Sequence, residues 1–394
     1  MTSSPKAHGM DGTLVAPDWP PLTLTELHPL LAQFPALGEP VRILFGSPRP
    51  LSAAAVVATR NARVFIKRHH RSVRDHEGLL EEHRILAHLF AHCAAVPRVL
   101  AADSEETAIA IGDWTYEVHE IPVGFDLYED AISWTPFRSE AHAYSAGQAL
   151  ARLHLAAQGF AAPPRKPRPL VASFTIFAAS DPAPAMASYL AARPSLAERA
   201  AVHSCANQAL ELLAPFHADL LPSLPSLAPL WTHNDLHASN LFWSTAGPDA
   251  DQTARATAII DFGLADRTNA VHDIANAIER NIVEWLVLVN DPAHPDSVPV
   301  HNDDLEALLD GYESVRPLSN AESAALGPMT ALCHAEFALS EADYFLGVLH
   351  SEEKAAMTYD GWLIGHARWF HSESGRTLLE VLRDRADARP EPSR

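Results

Sequence analysis

The side-chain pattern changes once along this chain, at Ile121-Pro122-Val123-Gly124, and that change limits the folds open to it. Before it lie short β-prone runs and one strong helix. After it, helical periodicity dominates. Residues 53–58 and 62–67 are β-prone and joined by a turn at Arg60-Asn61; Val41-Arg42-Ile43-Leu44-Phe45 and a turn at 46–50 precede them. A helix is predicted over about 75–93, and residues 96–100, 108–111 and 115–121 read as further strands. This β-β-α-β-β order predicts a small antiparallel lobe carrying one helix. Ahead of it, Thr23 or Thr25 caps a helix through about Phe34, with Leu24, Leu27, Leu30 and Leu31 on one face.

Beyond Gly124, helices are predicted over 138–157, 185–214, 273–289, 303–315, 321–349 and 352–384. Residues 161–184 are Pro-rich, carry Arg165, Lys166 and Arg168, and read as a surface loop. The expected class is α+β: a flexible tail over 1–21, an N-terminal nucleotide-binding lobe over 22–121, a larger, mainly helical lobe over 122–384, and a polar tail over 385–394.

The chain has 394 residues, 47% hydrophobic and 20% charged, as expected of a soluble globular protein of two or three lobes. A formal charge of −20 argues against nucleic acid and anionic membrane as partners, since both require a basic surface. It suits a cationic or neutral substrate, and equally plain solubility. Cys93, Cys205 and Cys333 are far apart and show no metal or redox spacing, so a reducing cytoplasm is the expected setting. No signal pattern opens the chain, and no apolar run approaches the roughly 20 residues needed to cross a bilayer.

The chemistry concentrates between Trp231 and Gly263. There the chain reads Trp231-Thr232-His233-Asn234-Asp235-Leu236-His237-Ala238-Ser239-Asn240-Leu241-Phe242-Trp243, and later Ala258-Ile259-Ile260-Asp261-Phe262-Gly263. An Asp, an Asn five positions on, and a second Asp closing an apolar strand are the groups that activate a hydroxyl and hold magnesium on a nucleoside triphosphate. Asp235 would accept the hydroxyl proton or orient that hydroxyl. Asn240, through its amide oxygen, and Asp261 would bind the metal. Residues 241–243 and 257–260 form a hairpin, turned at Gly247-Pro248-Asp249, that returns Asp261 to Asn240.

Phosphoryl transfer also needs a cation on the phosphates. Lys6, Lys67, Lys166 and Lys354 are the only lysines. Lys67 closes a strand in which Val64 and Ile66 share one face and Phe65 and Lys67 the other. Read alone it is either a phosphate ligand or an ordinary strand-end lysine. In the following helix, Leu79, Glu82, Ile85, Leu86, Leu89, Phe90 and Cys93 form one stripe, while Glu81, His88 and His92 flank it. A carboxylate inside an apolar stripe needs a partner; Lys67 is the candidate, and snorkelling to solvent is the alternative. His88 and His92 have zinc-compatible spacing without a third ligand, and read as a solvated face.

With these residues the chain resembles the aminoglycoside phosphotransferase and choline kinase-like family. His233-Asn234-Asp235-Leu236-His237-Ala238-Ser239-Asn240 resembles its His-Gly-Asp-Leu-His-x-x-Asn loop, 149–154 its Leu-Ala-x-Leu-His helix, and His272-Asp273-Ile274-Ala275 its Asp-Leu-Ala segment. The resemblance implies a two-lobed kinase-like fold with ATP, or GTP, in the cleft, Mg2+, and γ-phosphate transfer to a hydroxyl, usually of a small molecule. It also implies that Ser52 with the backbone of Ala53 and Ala54 contacts phosphate, and that His119, Glu120 and Ile121 meet adenine through their backbone. His233 and Asp273 would support the loop; His237 either supports it or places substrate. Asn234 stands where the family has Gly.

A protein serine/threonine kinase is the alternative enzyme, since Asp261-Phe262-Gly263 fits one. No Ala-Pro-Glu segment follows, and Gly263 to Asp273 leaves no room for an activation loop. A non-catalytic binding module is the third reading; the complete Lys67, Glu82, Asp235, Asn240 and Asp261 set argues against it. The expected partner is a small hydroxylated molecule: a sugar, amino alcohol or aminoglycoside. Asp126, Glu129, Asp130, Asp266, Glu279, Glu284, Glu336 and Asp343 are the acids that an amine-bearing one would meet. Oligomeric state stays open.

Overall fold

A five-stranded antiparallel sheet frames the first of two units, Met1–Val123 and Gly124–Arg394, in the computed structural model, which describes residues 7–9, 12–92 and 94–388. In spatial order the strands are Pro40–Gly46, Ala53–Thr59, Arg63–His70, Trp114–Glu120 and Ile109–Ile111. Strand alternation gives this sheet two different faces. Ala55, Val57, Val64, Ile66, Tyr116 and Val118 pack with Leu27, Leu30 and Leu31 of the helix Leu24–Leu31. Each such aliphatic side chain contributes about 1.5–3 kcal/mol on burial. Thr23 caps that helix by accepting from the Glu26 N–H at 3.3 Å. Lys67, His69, Glu117 and His119 occupy the other face, towards His83 of the helix His76–Ala91.

Several expectations are corrected here. Residues 96–100 are not a strand: Val99 makes a single bridge to His119, and Pro97 has no N–H for a ladder. The fifth strand is instead Pro40–Gly46. Phe90 is exposed rather than part of the buried stripe, although Leu79, Glu82, Ile85, Leu86 and Leu89 are buried. Lys6 and Cys93 lie outside the described residues. The segment assigned to the tail is fastened from Trp19, which stacks on His70 at 5.1 Å and meets Trp114 edge-on at 5.5 Å. Arg68 completes that anchor: it donates to the Pro20 carbonyl, pairs with Glu26 at 2.5 Å and lies over the Trp114 ring.

The second unit is mainly helical. Its longer helices are Glu140–Ala157, Pro182–Ala191, Ala200–Leu220, Ala270–Ile282, Asn302–Glu313, Asn320–Leu332, His334–Gly347 and Glu373–Asp387. Two antiparallel ribbons carry the functional loops: Pro229–Thr232 with Asp266–Asn269, and Leu241–Trp243 with Ala256–Ile259. Helices Glu140–Ala157 and Asn302–Glu313 touch backbone to backbone. A Cβ on Gly147 would stand 2.0 Å from the Leu308 carbonyl oxygen, and one on Gly311 1.9 Å from that of Tyr144.

The longest predicted helices are interrupted. The helix Ala270–Ile282 stops before Val283, which is extended and bridges Val300. The 352–384 run becomes Glu352–Ala356, a π-helical stretch Met357–Gly365, His366–Trp369, and a fresh helix where Ser372 accepts from the Gly375 N–H at 3.1 Å. Residues 161–181 are a loop whose middle is buried rather than on the surface, and 182–184 open the helix Pro182–Ala191. Leu170, Val171, Ala172, Phe174, Ile176 and Phe177 are buried, and Glu336 accepts from Ser173 Oγ and from the N–H groups of Thr175 and Ile176. That carboxylate supplies the acceptors that buried loop amides require. Arg385, assigned to the polar tail, is helical and ion-paired with Glu306 and Asp310; 389–394 lie outside the described residues. Among the described residues, no helix is long and apolar enough to cross a membrane.

Candidate active site

The strand Pro229–Thr232 delivers the chain into a tight turn at Asn234, whose φ is +62°. Asn tolerates this left-handed backbone better than most residues. Its side chain is also fully engaged: Oδ1 accepts from Thr232 Oγ1 (2.8 Å), Thr268 Oγ1 (3.2 Å) and His272 Nδ1 (3.1 Å), and Nδ2 donates to the Ala172 carbonyl (3.0 Å). Asp273 lies beneath the turn. Its Oδ2 accepts from the His233 N–H at 2.8 Å and His154 Nε2 at 2.9 Å, and its Oδ1 from the Asn234 N–H at 2.7 Å. Burial alone would raise the Asp273 carboxyl; the His154 hydrogen bond and the imidazoles of His154 and His233 outweigh it and hold it below the usual carboxylate range. His233 bonds the Ile260 carbonyl through Nε2 at 2.9 Å and accepts the Asp235 N–H on Nδ1 at 3.2 Å, which fixes its tautomer.

The far end of the same helix holds the rest of the loop. Asn281 Nδ2 donates to the Leu236 carbonyl at 2.8 Å, and its Oδ1 accepts the Ala238 N–H at 2.9 Å. Asn240 Nδ2 donates to the Asp235 carbonyl at 2.9 Å and approaches Asp235 Oδ2 at 3.4 Å. The Ile260 N–H donates to the Asn240 carbonyl at 2.9 Å, which sets Asp261 beside Asn240. Asp261 itself has φ +60°, a conformation costing on the order of 1 kcal/mol or more for a non-glycine residue. An amide oxygen and a carboxylate are donor types suited to a hard divalent cation. His237 bonds Ser239 Oγ through Nδ1 at 2.7 Å, and its Nε2 stands 3.8 Å from Asp235 Oδ2.

Asp235 has a further neighbour that the sequence did not disclose. Arg280 Nε lies 3.3 Å from Asp235 Oδ1 and 3.4 Å from Glu279 Oε2. Burial pushes the Glu279 carboxyl above the ordinary range; Arg280 opposes that shift and Asp235 adds to it. Of the acids named from sequence, Glu336 is committed to the 173–176 loop, Asp343 to Arg193 and Ser195, Glu284 to His301, and Asp266 to the backbone N–H groups of Arg165 and Arg267. Arg280 and Asn281 were missed, as was Arg165, which donates to the carbonyls of Gly263 and Ala265. The available signal was spacing: positions seven and eight after Asp273 return to the same side of a helix.

The remaining candidates belong to the first unit. Lys67 and Glu82 are buried, and Lys67 sits opposite Glu117 in the strand register. Both bear on His69. Burial lowers the His69 pKa, the Glu117 hydrogen bond opposes that, and Lys67 adds to it. Glu117 is the hub: His69, His83 and His119 reach it through Nε2 at 3.1, 3.0 and 2.9 Å. Burial would raise this carboxyl, but His119 and the other imidazoles hold it well below its ordinary value. His83, Glu117 and His119 offer atoms within 4.8 Å of one another, close enough to share a metal ion; as placed, they form a closed hydrogen-bond cluster. Ser52 immediately precedes the strand Ala53–Thr59, and the Ala54 carbonyl accepts the Ser47 N–H at 2.9 Å. The Glu120 N–H is spent on the Arg98 carbonyl at 2.9 Å; half-buried Ile121 follows the strand end.

The phosphotransferase enzyme family model matches residues 52–318. A microcompartment-associated aminopropanol kinase is similar in structure over 90% of this chain and 99% of its own, with a TM-score of 0.56 and 17% identity. Amicoumacin kinase hAmiN, in complex with AMP-PNP, Ca2+ and Ami, is similar over 86% and 92% respectively, with a TM-score of 0.51 and 14% identity. At these identities the two likenesses establish a shared fold. No curated protein matches the chain.

Proposed function

The chain belongs to the phosphotransferase enzyme family, and from that we propose that it transfers the γ-phosphate of ATP to a hydroxyl of a small molecule. The observation carrying this reading is the Asn240 amide. Its nitrogen is used on the Asp235 carbonyl, which leaves its oxygen for a metal, and the backbone bond from the Ile260 N–H to the Asn240 carbonyl brings the next residue, Asp261, to the same stretch of chain. That oxygen and the Asp261 carboxylate would hold Mg2+, which when bound neutralises charge on the β- and γ-phosphates. Asp235 orients the acceptor hydroxyl and takes its proton as the hydroxyl oxygen bonds to the γ-phosphorus. The bond from that phosphorus to the β-bridging oxygen breaks, and ADP leaves. Lys67 serves the α- and β-phosphates with Glu82 as its partner, Ser52 contacts phosphate, and the 119–121 backbone meets the base. Asp273, His233 and His237 keep the loop in shape.

The chain following Asp261 favours a small acceptor over a protein. A single 3-10 turn, Phe262–Leu264, leads directly into the strand Asp266–Asn269 and the helix from Ala270. Nothing there is long enough to serve as a peptide-binding activation segment.

The test is a screen of amino alcohols, hydroxy acids, sugars and aminoglycosides for ADP release, followed by two variants. Asp235→Asn should abolish transfer while calorimetry still detects Mg-ATP binding, and Asp261→Ala should weaken Mg-ATP binding itself. Wild-type turnover by Asp235→Asn on the identified acceptor would refute the assignment.

A further inference from the structure

Arg280 is buried beside Asp235, with only 4% of its side chain exposed. Its guanidinium lies between two aromatic rings, 5.2 Å from the centre of Trp134 and 4.6 Å from that of Phe337. The fork is used on one edge only. Nε is ion-paired with Asp235 and Glu279 but makes no hydrogen bond to either, and Nη1 and Nη2 hydrogen-bond to none of the described residues. A buried guanidinium with two idle donors is costly unless something supplies acceptors.

The surrounding backbone is held in two sparsely populated conformations that converge on this group. Trp134 has φ +63°, and its ring lies 4.4 Å from that of Trp362, which the π-helical stretch Met357–Gly365 carries. Left-handed aromatic residues and π-helical turns are both disfavoured, and both concentrate at functional sites. Here they fix the walls around one cation.

We propose that Arg280 receives a carboxylate of the phosphate acceptor, so that the substrate is a hydroxy acid whose hydroxyl lies at Asp235. This rests on the phosphotransfer reading above and specifies its substrate class. The free Nη1–Nη2 edge matches the two oxygens of a carboxylate in a bidentate pair. Asp235, Glu279 and Glu341 already act on the guanidinium, so a singly charged, planar anion fits better than a dianionic phosphate. Aromatic faces on both sides fix the plane of the fork and exclude water, which strengthens the pair.

The experiment uses the full chain and matched acceptors that differ by the carboxylate: threonine beside 1-aminopropan-2-ol, homoserine beside 3-aminopropan-1-ol, and serine beside ethanolamine, with glycerol 3-phosphate as a dianionic acceptor that keeps free hydroxyls. ADP release is followed with Mg-ATP. The expected result is a kcat/KM at least tenfold higher for the acid of at least one pair. For that acid, Arg280→Lys, which keeps the charge and loses the fork, should raise KM about tenfold or more with kcat changed far less. Arg280→Gln should abolish the preference; if it does not fold, the lysine variant decides.

Preference for the amino alcohols or glycerol 3-phosphate, or no turnover of any acceptor by a chain that binds Mg-ATP, would overturn the carboxylate site. So would a Lys variant whose loss is in kcat and equal for both members of a pair, because that marks Arg280 as a support for Asp235 alone. Turnover of amino alcohols abolished by Asp235→Asn would leave the phosphotransfer reading standing while this one fails.

Discussion

Replacing Asn234 by glycine, the residue at this position in the family it resembles, should destabilise the protein even though the backbone there favours glycine. The gain is relief of a left-handed conformation, about 1 kcal/mol for Asn. Against it stand four side-chain hydrogen bonds of 3.2 Å or less, to Thr232, Thr268, His272 and the Ala172 carbonyl. At about 1 kcal/mol each these total roughly 4. Thr232 and Thr268 still bond one another after the change, which lowers the loss to about 3. The freedom glycine gains in the unfolded chain costs a further 0.5–1 kcal/mol or so. The net expectation for Asn234→Gly is a loss of about 2–3 kcal/mol. Asn234→Ala, with the bonds gone and the strain kept but no glycine entropy cost, should lose about 3 kcal/mol, within about 0.5 of the glycine variant. Urea titrations followed by circular dichroism measure this as a shift in midpoint at unchanged slope. A glycine variant as stable as the parent would show that the amide contributes nothing and that only backbone conformation matters at this position.

Three further outcomes are expected. Asp273→Asn removes a buried charge and leaves one of three donors without an acceptor, so it should cost about 3 kcal/mol in urea titration. Because the Asp273 carboxyl is held low in the folded state, its contribution is present above about pH 4, where the unfolded group titrates, and is lost as pH falls through its folded value; the gap between parent and variant should close in acid. Asp266 has the opposite sign: burial lifts it to about 6, with the Arg165 and Arg267 N–H bonds opposing. Its stability contribution is complete below about pH 4 and lost by about pH 6, roughly 3 kcal/mol in all, and Asp266→Asn, which keeps an acceptor oxygen, should remove that slope from pH-dependent unfolding curves. Gly311→Ala should destabilise by several kcal/mol on thermal melting, since its methyl would meet the Tyr144 backbone.

Period and turn chemistry carried much of this architecture. Alternation in 63–67 separated Val64 and Ile66 from Phe65 and Lys67, and helical period placed Glu82 inward, because both depend only on local geometry. Gly247-Pro248-Asp249 was enough to return the strand Ala256–Ile259 to Leu241–Trp243, and with it Asp261 to Asn240. What stayed hidden depends on partners distant along the chain. Arg280 meets Trp134, Asp235 and Phe337, and no local pattern joins those positions. Residues 161–184 read as exposed because Pro and Arg favour surfaces, whereas Glu336 makes their burial affordable. Val41 to Phe45 forms a strand only because Ala53–Thr59 offers a ladder. Asn234 keeps the positive φ that a glycine would adopt, so the departure changes the bonding around the turn and not its direction.

The helix Ala270–Ile282 also acts as a ruler. Asp273 and Asn281, which bond the backbone of the 233–238 loop, are eight residues apart, about 12 Å along the axis. Deleting one residue between them would shorten the interval by about 1.5 Å and turn one anchor about 100° away from the other, even with the helix itself intact. Length changes at the exposed 246–249 tip of the connection carry no such geometric constraint. Chain-length variation at this site is therefore admissible in the hairpin connection and forbidden in the helix, a distinction that paired insertion and deletion libraries across the two segments would expose directly.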